Sequence, residues 1–244
     1  MLLLLKQPAE SADRSAVLDL GRSHVVVDVG GWKDVVFGHP SSGQLAINLA
    51  WRPGKPLQIL DPDDPSRTWL TGRDIQFETA IQVINGSSPE VTRMAYEFGG
   101  FHFSMEKGGR TGYQVSATGP TSFRLVPRQG RPFSKLPPPV KCYGFPDQVR
   151  AGWQNAGFLA DLTLELEQEL GRLYYLGPLR DYPRREYAWA GTQPSDVEKA
   201  GERIAEALIA SRVRGNEPGW GGGSLEAVVA KWLRSAKADL KSAR

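Results

Sequence analysis

The chain has 244 residues, of which 40% are hydrophobic and 23% are charged, and its formal net charge is +3. This composition excludes wholesale disorder, and the length allows one large domain or two small ones. The single cysteine, Cys142, excludes an internal disulfide framework and fits a reducing cytosol, so we expect a cytoplasmic protein.

The first residues, Met-Leu-Leu-Leu-Leu, predict a helix that ends at Pro8, because proline disfavours helical geometry at the residue before it. This helix has no capping residue, and four consecutive leucines predict burial on all sides. We expect it to follow an upstream strand that is absent from the chain; the alternative is a frayed terminus docked on the domain. The apolar run is too short for a signal peptide, and no segment approaches the about 18 apolar residues of a membrane span. We therefore expect a soluble protein without a membrane partner.

Short segments of alternating or β-branched residues predict an antiparallel β-subdomain over residues 20–127. The predicted strands cover residues 25–29, 45–51, 75–83, 91–98, 101–107, 113–117 and, as a further candidate, 123–126. Residues 32–38 predict a short turn or helical piece, and residues 52–67 predict a loop. Gly99-Gly100 and the glycines of 108–112 predict hairpin turns.

The remaining chain predicts helices around one more strand, which makes the fold class α/β or α+β. The proline-rich residues 128–146 are the predicted linker. Leucines three and four residues apart predict an amphipathic helix over residues 159–173. Ser195 and Glu198 form a predicted capping box for the next helix, and Ser224 is the predicted cap of a last helix with a basic end.

The segment from residue 173 to residue 202 has the most distinctive pattern. The apolar run 173–176 stops at Gly177-Pro178 and is followed by three arginines, Arg180, Arg184 and Arg185. This order predicts a buried strand that presents cations at its C-terminal edge, where ligands bind in open α/β sheets.

The arginines allow two interpretations. They can form ion pairs around a turn, as surface arginines commonly do, with the nearby acidic residues Asp181, Glu186 and Asp196. Alternatively, Arg180 or Arg185 projects from the strand edge toward an anion or a partner subunit.

Motifs for catalysis are missing from the sequence. No G-x-x-x-x-G-K-[ST] phosphate loop occurs, and no apolar strand ends in the Asp-Glu pair that would hold Mg²⁺. The acidic turn at 61–65 lacks the glycine and the distal glutamate of an EF-hand. The histidines are isolated, and Cys142 has no partner at ligand spacing, so no metal site is predicted. We therefore predict no catalytic residue in this chain.

The string LGPLRDYPRREYAWAG, followed by V-x-x-x-G-E, resembles AAA family ATPases of the ABC/SMC-like kind, including overcoming-lysogenisation-defect-type predicted ATPases. That family carries a pattern close to L-x-P-L-R-x-x-P-x-R-x-Y before a V-G-x-x-G-E helix. The matching residues are Leu176, Pro178, Leu179, Arg180, Pro183, Arg185, Tyr187, Val197, Gly201 and Glu202. Glu198 departs from the pattern, since it stands where the family tends to carry glycine.

Two further blocks are similar to the same family, in the expected order. LLLLKQPAESADRSAVLDLG resembles the family's helix after the phosphate loop and the chain beyond it, and GGWKDVVFGHP resembles the next segment, a loop of the pattern sFkDvV. The resemblance implies a partial P-loop ABC-type ATPase head. Residues 1–19 would be a remnant of the helix after the phosphate loop, and residues 147–244 would be a helical and strand part of the ATPase core.

In the full-length parent the resemblance implies ATP and Mg²⁺ bound between two head domains, and thus a homodimer of heads. The groups that carry this chemistry are not on this chain, so its cofactor-binding residues stay unknown and no cofactor is expected for the chain alone. The family-motif candidates are Arg180, Arg185, Tyr187 and Glu202.

Three function classes are compatible with these patterns. The first is a fragment of an ATPase whose parent couples ATP to conformational switching on DNA or in a defence complex. The second is a stand-alone module in which the β-subdomain and the arginines bind nucleic acid or protein. The third, a metabolic enzyme with an unrecognised site, has no supporting motif.

Overall fold

The computed structural model describes the backbone of most of the chain. Residues outside the description are 22–26, 39–41, 63, 65, 85–87, 110–111, 122, 131–134, 178–180, 195–196, 215–224 and 243–244, with the side chains of 214, 225, 233 and 236–242. The chain divides into two compact units, a first unit of Met1–Leu173 and a second unit of Tyr174–Arg244.

The described regular structure comprises six helices and seven strands. In chain order they are α1 (Leu2–Glu10), α2 (Trp32–Val35), β1 (Gly43–Trp51), β2 (Leu57–Leu60), β3 (Thr68–Gly72), β4 (Ile75–Val83), β5 (Glu90–Phe98), β6 (Phe101–Lys107), β7 (Tyr113–Thr118), α3 (Asp147–Gly152), α4 (Leu159–Gly171), α5 (Ile204–Arg214) and α6 (Leu225–Ser242). None of the described helices is long and apolar enough to cross a membrane.

A five-stranded antiparallel sheet organises the first unit, with the strand order β1-β4-β5-β6-β7. The hairpin of β2 and β3 forms a separate two-stranded sheet and is inserted in sequence between β1 and β4. The predicted antiparallel pairing of these strands is therefore confirmed, and the fold is a mixed α+β architecture.

Alternation of side chains gives the sheet one buried face. Along β4 every second residue is buried, from Ile75 to Val83. The leucines of α4 at three- and four-residue spacing, Leu159, Leu162, Leu166 and Leu170, are buried in the same core as these strand residues. The amphipathic helix predicted from that spacing is thus confirmed, because the stripe matches the helical period.

The hairpin turns are also confirmed. Gly99 and Gly100 join β5 to β6 with φ angles of +59° and +80°, a pair of values that glycine adopts without steric cost. At the β6–β7 turn the Gly108 amide donates to the Gly112 carbonyl at 2.7 Å. The helical piece predicted near residue 32 is α2.

One predicted loop and two predicted strands differ from the structure. The predicted loop 52–67 contains β2, whose Ile59 is fully buried. Residues 123–126 form no strand; instead the Asn155 side chain holds their backbone by accepting from the Val126 amide and donating to the Arg124 carbonyl. The strand predicted at 25–29 falls partly outside the described residues, and its described part, 27–29, is irregular.

The N-terminal helix is longer and less enclosed than predicted. It continues through Pro8 to Glu10, so the predicted end of the helix at Pro8 is wrong. Leu4 and Leu5 are buried, whereas Met1 is 64% and Leu2 is 43% exposed, so burial on all sides is wrong.

Two predictions for the second unit differ from the structure. Residues 174–177 form no strand, and Tyr174 and Leu176 are exposed. The helix expected after Ser195 begins only at Ile204, and Ser195 itself lies outside the described residues. The last predicted helix is confirmed as α6.

The predicted linker, residues 128–146, contributes to the core of the first unit. Among its described residues Leu136, Cys142 and Tyr143 are buried, and Leu136 bridges to Tyr113 at the start of β7. The domain boundaries expected from sequence stay predictions.

Candidate functional site

The arginine segment of the second unit is a set of turns held by backbone hydrogen bonds. The Gly177 amide donates to the Lys199 carbonyl at 2.7 Å, and the Asp181 amide donates to the Ala200 carbonyl at 2.9 Å. Gly177 and Asp181 are thereby placed beside Lys199 and Ala200, which belong to the V-x-x-x-G-E block.

Arg184 forms the ion pair that the simpler interpretation expects. Its Nη2 lies 2.7 Å from Asp181 Oδ2, and its backbone amide donates to the Tyr187 hydroxyl at 3.0 Å. Because both partners are within three residues, these bonds shape the turn.

The other family-motif candidates have different surroundings. Arg180 lies outside the described residues, and the side chain of Arg185 is exposed. Glu202 accepts a hydrogen bond from the Ala200 amide at 3.0 Å and so closes its own turn. Tyr187 and Glu202 are thus both engaged locally, and their described bonds do not join them at one binding site.

Glu198 has a left-handed backbone, with φ of +63°. This region favours glycine, because a Cβ is crowded by the following carbonyl there. Gly201, three residues later, has φ of +77°, and a Cβ on it would lie 2.6 Å from Ile204 Cδ1. The V-x-x-x-G-E turn therefore uses two left-handed positions, one of which is occupied by glutamate.

Arg203 ends this turn and joins it to α5. Its Nε and Nη2 both donate to Glu206 Oε2, at 3.2 Å and 2.9 Å, and its Nε is 4.0 Å from Glu198 Oε1. The hydrogen bonds to Glu206 raise the pKa of the Arg203 guanidinium. Arg203 therefore stays charged and forms an ion pair with Glu206 within the unit.

Two buried polar side chains on α1 were not singled out by sequence reasoning. Lys6 is 2% exposed; its Nζ donates to the Leu173 carbonyl and lies 3.1 Å from Glu10 Oε1. Gln7 donates through Nε2 to the Asp19 carbonyl at 2.7 Å and accepts from the Val27 amide at 2.6 Å. The signal in the sequence is the Lys-Gln pair directly after four leucines.

A second buried lysine holds the C-terminal end of α1. Lys141 Nζ donates to the carbonyls of Ala9 at 3.3 Å and Ser11 at 3.2 Å, where the helix leaves unpaired oxygens. A cation is also favoured by the negative end of the helix dipole. Lys141 has a left-handed φ of +56°, so the packing of this contact sustains backbone strain.

Two of the concave regions on the described surface of the first unit have acidic linings. A cavity of about 540 Å³ lies between β2 and α4, beside Leu60, Leu164, Asp161 and Glu165. Burial raises the pKa of both carboxyls, Asp161 and Glu165. A second cavity of about 490 Å³, on the outer face of the sheet, is lined by Glu78, Glu97 and His102 among others.

Metal ligands do not converge in either region. In the part of the chain that the structure describes, no three His, Cys, Asp or Glu side chains are grouped to hold an ion. Arg93 Nη2 and Nε instead pair with Glu78 at 2.8 Å and Glu106 at 3.1 Å across the outer face.

Comparison of the chain with models of protein families, with curated proteins and with solved structures finds no match. The resemblance to ABC/SMC-like ATPases therefore depends on the residues quoted above.

Proposed function

We propose that the chain is an interior segment of an AAA family ATPase of the ABC/SMC-like kind, in which it forms the scaffold of the P-loop head. The observation that carries the proposal is the presence of three separate blocks in the order of that family, beginning at residues 2, 30 and 176. A chance match to one short block is common, whereas three in order are not.

The surroundings of α1 support this role. A helix that follows a phosphate loop must be fixed in place, because a small displacement of catalytic groups is costly. Here Lys6, Gln7 and Lys141 hold the C-terminal half of α1 through backbone carbonyls and one backbone amide. The exposure of Met1 and Leu2 leaves the first turn open to a neighbouring segment.

The turn at Glu198 supports the resemblance independently. The family tends to carry glycine at this position, and the backbone there has the left-handed conformation that glycine favours. The backbone requirement is therefore the same although the residue differs.

We expect the chain alone to bind neither ATP nor Mg²⁺ tightly, because its sequence lacks the phosphate-binding lysine motif. The chemistry of ATP hydrolysis would come from segments of the parent on either side, and this chain would position them. In the parent we infer a homodimer of heads, with DNA or a defence partner protein as its target.

Nucleotide binding by the isolated polypeptide tests the first part of the proposal. We expect no change in melting temperature with micromolar ATP and Mg²⁺, and no ATP hydrolysis. A dose-dependent increase in melting temperature would show that the chain has a nucleotide site of its own.

The coding sequence around the chain tests the second part. We expect the reading frame to continue upstream of Met1 and to encode a G-x-x-x-x-G-K-[ST] motif there. A stop codon and a ribosome-binding site directly before Met1 would favour the stand-alone module. DNA binding by the isolated chain that weakens steeply with salt would favour that module as well, because neutralised phosphates release counterions.

A further inference from the structure

Strand β1 is an edge strand without the features that usually protect an edge. Within the described part of the chain it pairs only with β4, so the backbone groups on its other side have no strand partner. Native edges are commonly shortened, bulged, or marked by charges and prolines, because a long regular edge is a template for another strand. The nine residues of β1 contain no charged residue and no proline.

The geometry of β1 also favours pairing. Its register with β4 continues from Gly43 to Trp51 without a shift, whereas the β4–β5 ladder has one between Ala80 and Ile81. A regular strand of this length extends about 30 Å and offers a continuous row of backbone donors and acceptors.

The opposite edge of the sheet is less available. Strand β7 has six residues, and the amide of its first residue, Tyr113, already donates to the Leu136 carbonyl at 3.2 Å. The two edges therefore differ in length and in occupancy, and β1 is the better template.

We propose that β1 is a homodimerisation edge that pairs antiparallel with β1 of a second copy, centred on Ile47. This interface goes beyond the ATPase scaffold proposed above, and it concerns the chain alone. The centre at Ile47 pairs all nine residues of both strands, and it places side chains of the same face opposite each other.

On each face of the paired strands, the side chains of the two copies fit opposite each other. On the buried face, Leu45 lies opposite Leu49 of the second copy and Gly43 lies opposite Trp51, an aromatic residue that can cover a strand glycine. Leu49 and Trp51 are only half-buried in the single chain, so the pairing removes apolar surface from water.

The outer face is free of charge repulsion. Ala46 lies opposite Asn48 of the second copy, and both side chains are exposed in the single chain. Because the same edge is used by both copies, the contact is isologous and closes as a dimer with a continuous ten-stranded sheet.

The mass of the full chain in solution, measured by light scattering over a concentration series, tests the proposal. We expect a species of twice 26.8 kDa whose fraction rises with concentration, together with slower amide exchange in β1. A single-chain mass at the highest soluble concentration would overturn the proposal, as would open-ended assembly.

Introducing like charges on the outer face of β1 tests whether this strand forms the interface. The double variant Ala46→Lys/Asn48→Lys places lysines directly opposite each other, so we expect dimerisation to weaken about tenfold or more. The variant Ala46→Glu/Asn48→Glu should weaken it similarly, and an equal mixture of the two variants should restore a dimer. Failure of the mixture to dimerise would exclude the proposed register.

A matched variant on the other edge is the control. Gln114→Lys/Ser116→Lys places two lysines at the same spacing on the exposed outer face of β7. We expect this variant to remain dimeric. If it becomes monomeric while the β1 variant stays dimeric, β7 is the interface and the proposal is wrong.

Discussion

Replacing Lys6 with methionine is the sharpest test of how α1 is held. The ammonium of Lys6 is buried, with its side chain 3% exposed, and donates to the Leu173 carbonyl just after α4. Methionine keeps the length and apolar stem of lysine but removes the donor. The partly buried carbonyl oxygen of Leu173 then loses this hydrogen-bond donor, and the Glu10 carboxylate loses its ion pair.

The expected loss comes from removing one partner only. Removing the donor and leaving a buried carbonyl oxygen without a partner costs about 1–3 kcal/mol. Replacing a whole buried pair by apolar groups is often harmless, but here the carbonyl remains. We therefore expect the free energy of unfolding of the first unit to fall by about 2.5 kcal/mol. For a unit of this size that lowers the melting temperature by about 8 °C.

Thermal and urea unfolding of Lys6→Met beside Lys107→Met measures the difference. Lys107 also pairs with a glutamate, Glu90, but the side chains are 37% and 44% exposed. Exposed pairs contribute about 0–1 kcal/mol, so the control should shift little. Equal losses in the two variants would refute the assigned role of Lys6.

Two further predictions concern the core of the first unit. A Cβ on Gly119 would lie 2.1 Å from the ring of Phe101, so Gly119→Ala should lower the free energy of unfolding by about 3 kcal/mol. Gly157 has open space around it, so the control variant Gly157→Ala should be nearly neutral. An unchanged free energy of unfolding for Gly119→Ala in chemical denaturation would contradict this packing. Burial raises the pKa of Cys142 from 9.0 to about 12, so its thiol should resist a thiol-directed reagent in the native state and react fully in denaturant. The raised pKa contributes stability that is fully present below pH 9.0 and is lost as pH rises toward about 12. Comparing the pH dependence of unfolding between the wild-type chain and a Cys142→Ala variant isolates this contribution.

The sheet and α4 could be predicted because their patterns are local. The alternation along β4 and the leucine spacing of α4 each repeat over several turns or residue pairs, so the buried face is visible in sequence. Strand β2 could not be predicted, because four residues between prolines and aspartates carry too little alternation to stand out from a loop.

The polar contacts of α1 could not be predicted in the same way. Lys6 bonds a carbonyl 167 residues away, and no local pattern reports a partner at that separation. The run at 173–176 does not form the predicted strand for a related reason, since apolar composition alone does not supply a neighbouring strand. Of the candidate site, Arg184 is explained by its local ion pair, whereas Arg180 lies outside the described residues.

The left-handed position at Glu198 links the resemblance to a stability measurement. A non-glycine residue costs about 1–2 kcal/mol in that conformation, and glycine adds about 0.5–1 kcal/mol of unfolded-state entropy. The pair of Glu198 with Arg203 is long, at 4.0 Å, and half-exposed, so its loss matters little. We therefore expect Glu198→Gly to stabilise the second unit by about 0.5 kcal/mol, measured by thermal unfolding and by amide exchange in α5. Glu186→Gly, at an exposed position without a left-handed φ, should destabilise it instead. If both variants lose the same stability, the turn does not require glycine geometry, and the support that Glu198 gives to the ATPase resemblance is lost.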